Sequence, residues 1–256
     1  MRLDWCLTFA SLLGLPLCAA DVCNQRDLVG TYGFLLSGET SISGQPQPTT
    51  SLGRIVLDSS GGISGYSSVM IAGFLLGNPV TGTFESHRDC TASWSLQDDS
   101  GAFQHFSGVV SAQGQRVEFR QTDPGGVPHG ILLRTADACS VPDLQRAYAL
   151  TISGSYTPMA AGDAPASVSA KGVMCADPNG NFRLTLRGSS QSTPVTLSLD
   201  PDCTVHLQLD LPAEPTGPAT LRGILVDGAK QILAIQTDPG WMVSAQFTAQ
   251  ETPIIQ

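Results

Sequence analysis

The stretch Gln121–Gly125, which reads Gln-Thr-Asp-Pro-Gly, organises this chain of 256 residues because it occurs twice. It returns letter for letter as Gln236–Gly240, 115 residues later (236 − 121). In each copy the Pro-Gly pair favours a type II turn, since proline fixes its own φ and glycine accepts the positive φ that follows. Thr122 and Asp123 can hydrogen-bond the backbone around that turn. The stretch therefore predicts a turn between the seventh and eighth strands of a unit, and Asp123 and Asp238 are the residues to test for a binding role.

The rest of the chain shows the same internal similarity between its two halves. Residues of the first half recur in order in the second half, with shifts between 113 and 119 residues, as loop insertions and deletions would produce. Matched pairs include Cys23 with Cys139, Tyr32 with Tyr148, Gly61 with Gly180, Pro79 with Pro194, and Cys90 with Cys203. A period of this length is that of a whole domain rather than of a solenoid unit. We therefore predict two tandem copies of one fold, over residues 21–138 and 139–256.

Composition predicts an all-β, exported protein. Charged residues make up only 14% of the chain, which also contains 27 Gly and 17 Pro, as in proteins with many strands and turns. The net charge is −9 and the pI is about 4.7. A nucleic-acid partner would require a basic face, and the negative charge also opposes docking on anionic lipid. We predict no nucleic-acid partner.

Residues 1–20 have the pattern of a signal peptide. The apolar run Leu7–Leu17 is too short to span a bilayer, which takes roughly 20 apolar residues, and small residues follow up to Ala20. We predict cleavage after Ala20, no membrane insertion afterwards, and a secreted or periplasmic protein. The alternative is a lipoprotein anchored through Cys18, although Leu17 is larger than the small residue that normally precedes an acylated cysteine.

Hydrophobic residues alternate with period two, which predicts half-buried strands. In Thr31–Ser37, for example, Tyr32, Phe34 and Leu36 share one face, and the polar stretch Gly38–Ser51 that follows is predicted as a loop. The other strands predicted in the first unit are Arg54–Leu57, Ser64–Leu76, Val80–Glu85, Thr91–Leu96, Phe103–Val110, Arg116–Gln121 and Gly130–Thr135. We predict two tandem antiparallel eight-stranded up-and-down barrels. Two β-sandwiches are the alternative, because strand count alone does not decide closure.

The cysteines are expected to pair, because an exported protein meets an oxidising environment. Five remain after cleavage: Cys23, Cys90, Cys139, Cys175 and Cys203. The internal matches predict the pairs Cys23–Cys90 and Cys139–Cys203, one in each unit. Cys175 corresponds to Val56 and has no such partner. It is interpreted either as a buried thiol or as an alternative partner for Cys203 or for another chain.

Catalytic and metal-binding motifs are missing from the sequence. It contains no Gly-x-Ser-x-Gly, His-Glu-x-x-His, phosphate-binding glycine loop or Cys-x-x-Cys element. Asp177–Asn181 resembles a calcium loop but lacks the late bidentate Glu, so it is predicted as a hairpin turn. His206 is predicted to face solvent on a strand. We predict no enzyme, metal or cofactor; the catalytic alternative is a site made of His105, Asp98 and a serine.

One predicted strand differs between the units. Val117–Arg120 places Glu118 and Arg120 on its second face, whereas the corresponding strand places Leu233 and Ile235 there. An apolar outer face of this kind requires a cover. We expect it to pack against the first unit, or against a protein partner or a second copy.

The first strand carries Gly30-Thr31-Tyr32 and opens an eight-strand meander, which resembles the small calycin barrels, the lipocalin and avidin group. The second unit departs from that pattern, since Arg146 stands where the glycine would be. The chain also resembles an uncharacterised family of secreted bacterial β-proteins with Gly-Thr-Tyr-Gly-Phe, Asp-Cys-Thr and Gln-Thr-Asp-Pro-Gly elements. The calycin resemblance implies a barrel whose mouth accepts a small apolar ligand.

Two non-catalytic functions follow as hypotheses. In the first, the barrel binds a small apolar ligand against Tyr32, Phe34, Trp94 and Phe106. In the second, the barrels are filled by their own side chains, and the molecule is a structural or interaction protein of the cell envelope or matrix.

Overall fold

The structure is a computed structural model and describes residues 23–42, 44–145, 147–157, 165–177, 179–211 and 217–250. The predicted signal peptide lies outside the described residues. The strands of the first half are β1 Gly30–Ile42, β2 Gln45–Leu57, β3 Gly62–Ile71, β4 Phe74–Ser86, β5 Thr91–Asp98, β6 Phe103–Ser111, β7 Arg116–Gln121 and β8 His129–Arg134. Those of the second half are β9 Ala147–Tyr156, β10 Ala166–Ala176, β11 Phe182–Leu186, β12 Ser192–Leu199, β13 Thr204–Leu209, β14 Ala219–Val226, β15 Gln231–Gln236 and β16 Trp241–Ala249. Short 3-10 turns occupy Gln25–Leu28, Ala112–Gly114 and Val141–Asp143.

The strands form two closed barrels. Each strand from β1 to β8 pairs antiparallel with the next, and β1 also pairs with β8. Strands β9 to β16 close in the same way through β16 and β9. The predicted pair of eight-stranded up-and-down barrels is confirmed, and the sandwich alternative is wrong because each sheet closes on itself. No helix among the described residues has the length and apolar character needed to cross a bilayer.

Alternating side chains fill the barrels, as period two requires. The predicted inward residues are buried in both barrels: Tyr32, Phe34 and Leu36 on β1, and Tyr148, Leu150 and Ile152 on β9. Of the residues between them, Gly33 and Leu35 face the second barrel, whereas Thr151 is exposed.

The predicted loop Gly38–Ser51 is wrong, because β1 and β2 continue through it as one long hairpin. Its polar composition resembles a loop because this part of the hairpin rises above the barrel, where β2 has no β3 neighbour before Thr49. Pro46 and Pro48 fit there. Ile42 and Gln45 form the hydrogen-bonded pair that closes the hairpin, so the even-numbered residues of β2 direct their backbone nitrogens away from β1. No strand lies on that side here, so the N–H that proline lacks would not have made a sheet hydrogen bond.

The predicted strand Ser64–Leu76 is also wrong, because it is two strands joined by a two-residue turn. Ala72 and Gly73 occupy that turn with φ of 49° and 82°, the positive values of a type I′ hairpin. The continuous apolar sequence hid the turn, since alanine rarely adopts a positive φ.

The predicted disulfides are both present, Cys23–Cys90 and Cys139–Cys203. Cys90 and Cys203 each have a positive φ, 63° and 69°, in the turn that leads into the next strand. Cys175 is exposed on β10, so the interpretation of a buried thiol is wrong.

The repeated pentapeptide forms the same turn in both barrels, between β7 and β8 and between β15 and β16. Gly125 and Gly240 have φ of 92° and 85°, which matches the predicted type II turn. The aspartate of each copy accepts a backbone N–H from the strand one further back, at 2.8 Å from His105 on β6 and at 2.8 Å from Thr220 on β14. The pentapeptide therefore also fastens β6 in the first barrel and β14 in the second.

The two barrels pack together through outer faces, in what we call the interbarrel cluster. Its buried members are Leu35, Leu52, Met70 and Leu133 of the first barrel and Ile224, Val226, Leu233, Ile235 and Met242 of the second. The approach is close, because a Cβ on Gly33 would lie 2.7 Å from a methyl carbon of Val226. Leu233 and Ile235 are fully buried. Of the uses predicted for that face, the structure shows contact with the first barrel.

Candidate functional site

The four residues predicted to line a ligand, Tyr32, Phe34, Trp94 and Phe106, form part of the core of the first barrel. The rings of Trp94 and Phe106 stack at 5.5 Å, and Phe119 packs edge-on against both. The interior cavities beside Phe34, Trp94 and Phe106 are about 10 Å³ each. A space of that size holds one water at most, so the first barrel is filled by its own side chains at these residues.

Tyr32 and Arg134 close one end of the first barrel. The Tyr32 hydroxyl donates to the Gly114 carbonyl at 2.7 Å and accepts from the Arg134 guanidinium at 2.8 Å. The same guanidinium donates to the Val29 and Asp27 carbonyls. Burial raises the pKa of Tyr32 to about 12, although the charge of Arg134 opposes it. Tyr32 is thus a structural tyrosine that stays neutral.

The second barrel is open at the opposite end. Strand β10 pairs with β9 from Ala166 to Cys175 but with β11 only from Gly172 to Ala176. The reason is the shortness of the β11–β12 hairpin, which ends at a turn where Gly188 has φ of 87°. The barrel wall is therefore missing its upper part between the first half of β10, which has no β11 neighbour, and the end of β13. We call this gap the notch.

The notch encloses about 640 Å³, within the range of small-molecule sites. Its floor is apolar and consists of Ile152, Val168, Ala170, Leu186, Leu211 and Trp241. Trp241 is 4% exposed, and its ring centroid lies 4.4 Å from that of Tyr156. An apolar floor beneath an open rim suits a ligand with a hydrophobic body.

The rim of the notch is polar and positively charged. Lys171 and Arg187 stand on it, with Ser167, Ser169 and Ser189. Both cations are exposed, and neither makes an ion pair within the part of the chain that the structure describes. In a protein of net charge −9, two free cations at the mouth of an apolar cavity favour an anionic group on the ligand.

Among the described residues, no hydrogen bond joins His105 to Asp98, the pair of the catalytic alternative. The His105 Nδ1 lies 2.7 Å from the Asp123 carboxylate, whereas Asp98 accepts hydrogen bonds from Ser100 and Ala102 in its own turn. Burial raises the pKa of Asp123, but the hydrogen bonds from His105 and Gln121 outweigh it and hold that pKa below its usual value. His105 lies on an exposed outer face beside an open groove of about 750 Å³, and no hydrogen bond joins it to a serine among the residues described. Ser95, opposite His105 on β5, lines the same open groove, so the histidine–aspartate pair lies at the surface rather than in an enclosed site.

The other candidate residues have structural positions. His206 is exposed and lies 3.0 Å from Asp200, as expected for a solvent-facing strand residue. Asp177 accepts hydrogen bonds from the backbone of Asn179 and Asn181, so its carboxylate organises the hairpin turn. No group of three or more metal-ligating side chains occurs within the described ranges.

The residues of the notch were not predicted, although the sequence contains a signal for them. The shift between matched residues is 119 at Gly61 and Gly180 but 115 at Pro79 and Pro194. Four residues are therefore missing from the β11–β12 hairpin relative to β3–β4. At about 3.3 Å per residue, removing two residues from each strand lowers a hairpin by roughly 6–7 Å.

The sequence matches no protein-family model and no curated protein. Among solved structures, it is similar to a protein of unknown function from the DUF3598 family of Nostoc punctiforme, at 11% identity and a TM-score of 0.28 over 88% of this chain and 97% of that one. It is also similar to the isotype 1 transferrin binding protein B of serogroup B Neisseria meningitidis, at 9% identity and a TM-score of 0.34 over 87% and 76%. Similarity at this level does not indicate a function.

Proposed function

We propose that this protein is an exported, non-catalytic binding protein whose second barrel holds a small apolar ligand with an anionic group. The observation that carries the proposal is the 640 Å³ notch, with Trp241 and aliphatic side chains on its floor. The first barrel, which has no comparable interior space at its aromatic core, acts as the folded support of the second.

Two disulfides fit an extracytoplasmic protein, because such bonds persist where the environment is oxidising. We propose a secreted or periplasmic location, for which the N-terminal sequence pattern is the further support. A barrel tied by disulfides and carrying an open apolar cavity is suited to keep a poorly soluble molecule in water.

The test uses 1-anilinonaphthalene-8-sulfonate, an apolar anionic fluorophore, with the mature protein. We expect saturable binding at one site per chain. Replacing Ala170 with Phe fills the floor of the notch and should weaken binding at least tenfold, a loss of about 1.4 kcal/mol. Ala102→Phe is the control, because Ala102 is exposed in a turn of the first barrel and should leave binding unchanged.

Charge reversal at the rim separates the two parts of the proposal. Lys171→Glu with Arg187→Glu should weaken binding of the anionic probe while leaving the floor intact. Equal affinity for the probe in the wild type and in Ala170→Phe would show that it binds elsewhere and would overturn the proposal. Native mass spectrometry of the protein from its own host provides a second readout, since a bound ligand adds mass that is lost on denaturation.

The filled first barrel favours a second candidate, a structural or interaction protein of the cell envelope. That function needs outer surfaces rather than cavities. It is preferred if the native mass equals that of the chain alone and the fluorophore does not bind at the notch.

A further inference from the structure

The upper half of β4 is a free strand edge. Strand β4 pairs with β3 from Phe74, opposite Ile71, to Thr83, opposite Gly62. Its pairing with β5 begins only at Val80, opposite Asp98. Among the residues that the structure describes, Phe74–Pro79 has no strand on the β5 side, and a Cβ placed on Gly77 would meet no atom within 4 Å.

The backbone groups that point to this free side follow from the register. Phe84 donates its N–H to Gly61 at 2.9 Å, so even-numbered residues of β4 direct their N–H and C=O groups toward β3. Odd-numbered residues therefore direct theirs away, since the direction alternates along a strand. Leu75 and Gly77 thus offer unpaired N–H and C=O groups to the solvent.

The side chains along this edge are apolar and exposed. Phe74 is 61% exposed, Leu75 44% and Leu76 49%. Soluble proteins usually protect such an edge with a charged side chain. Here no Asp, Glu, Lys, Arg or His occurs anywhere between Ser59 and Phe84. The edge is therefore a segment without charge in a protein of net charge −9.

The edge also continues an established interface. Leu75 lies opposite Met70, which is fully buried in the interbarrel cluster, and cross-strand partners share one face. The Gly73 carbonyl accepts a hydrogen bond from the Gly240 N–H of the second barrel at 3.0 Å. The hairpin is thus held against the second barrel, which fixes its free side in place and keeps the tip from projecting as a membrane-inserting finger.

We propose that the free edge of β4 pairs antiparallel with the same edge of a second copy of this chain. A two-fold axis through Leu76 places Leu75 opposite Gly77 of the other copy, which gives roughly four backbone hydrogen bonds. The two Leu76 side chains then lie side by side, and no like charges meet. Because this contact uses the first barrel alone, it is independent of ligand binding at the notch.

Proline at position 77 tests the hydrogen bonds alone. Gly77 and Ser68 form a non-hydrogen-bonded pair, in which the backbone N–H of Gly77 points away from β3. Gly77→Pro therefore removes this outward N–H and leaves the hydrogen bonds between β3 and β4 intact. Pro79 already occupies the next position with the same direction. Gly77→Ala is the matched control, because it keeps the N–H and its Cβ meets nothing. By light scattering, the wild type and Gly77→Ala should have twice the mass of the chain, and Gly77→Pro the mass of one chain.

Cysteine cross-linking tests the register, in a Cys175→Ser background that removes the exposed native thiol. Leu76→Cys should form a dimer on a non-reducing gel, because a non-hydrogen-bonded antiparallel pair has its Cα atoms about 4.5 Å apart, within disulfide reach. Leu75→Cys should not, because its copies would be diagonal neighbours about 7–8 Å apart.

Two results would overturn the proposal. The first is a wild type that stays monomeric at its highest attainable concentration, and the second is a dimer that persists in Gly77→Pro. In the first case, sedimentation of the monomer with phosphatidylcholine vesicles, lost in Leu76→Lys, would assign the apolar edge to a lipid surface. Circular dichroism of each variant verifies that the barrels remain folded.

Discussion

Replacing Leu233 with Glu is expected to separate the two barrels without unfolding either one. Leu233 points outward from β15 and is fully buried in the interbarrel cluster. Its neighbours Ile232 and Ala234 point the other way and fill the second barrel. The second barrel therefore retains its own core when Leu233 changes, and the contact between the barrels is the part that loses stability.

The size of the loss follows from burial. A fully buried leucine side chain contributes about 2 kcal/mol, which the variant gives up. A carboxylate without a partner among apolar side chains costs at least about 2 kcal/mol more, or forces the barrels apart so that it can be hydrated. The contact should weaken by about 4 kcal/mol, close to a thousandfold in the ratio of docked to undocked barrels.

Calorimetry and small-angle scattering together measure this separation. We expect the wild type to unfold in one transition, and Leu233→Glu to unfold in two with a larger radius of gyration. Val109→Glu is the control, because Val109 is 58% exposed on the outer face of β6. The reasoning is refuted if Leu233→Glu keeps one transition at the wild-type temperature and an unchanged radius.

Two further predictions concern the bonds that hold each barrel. Replacing Cys139 and Cys203 with Ser opens a link between residues 64 apart and should lower the free energy of unfolding by about 4 kcal/mol in denaturant titration, if chain entropy dominates; a loss below about 1 kcal/mol would contradict that account. The pKa of Asp123 is lowered in the folded state, so the ionised carboxylate stabilises the fold. This contribution to the free energy of unfolding is fully present at a pH above the usual carboxyl pKa and is lost as the pH falls through the lowered pKa of the folded state. Asp123→Asn should therefore be less stable than the wild type at pH 7, by about 1–2 kcal/mol for the lost charged hydrogen bonds, and the difference should shrink in acid; a constant difference from pH 7 to 3 would contradict this.

The features that follow from local rules could be predicted from the sequence. The burial of Tyr32 and Phe34, two positions apart on β1, depends only on the geometry of a strand, and the turn at Pro124–Gly125 depends only on the φ preferences of two residues. The disulfides could be predicted because matched cysteines occupy matched places in a closed fold. The structure agrees at each of these positions.

The features that depend on how far a strand extends beyond the barrel could not be predicted from the sequence. Gly38–Ser51 is polar because it rises above the barrel, and polar composition alone does not distinguish a solvated hairpin from a loop. Ala72 carries no signal of a turn, since a positive φ in alanine is imposed by its surroundings. The assignment of Trp94 and Phe106 to a ligand stays a prediction for a related reason: whether aromatic side chains line a cavity or fill it depends on the distance across the barrel, which no local pattern encodes.

A single difference in hairpin height connects the two surfaces to which we assign binding. The β3–β4 hairpin is four residues longer than the β11–β12 hairpin. The wall of the first barrel is therefore higher at this hairpin than the wall of the second barrel. In the first barrel the raised hairpin carries β4 past the end of β5, which creates the uncharged edge at Leu75–Gly77. In the second barrel the lowered hairpin leaves the upper half of β10 without a neighbour and opens the notch above Trp241. Two barrels of one topology thus acquire different surfaces from one change in length, and lengthening the β11–β12 hairpin should close the notch and leave the β4 edge unchanged.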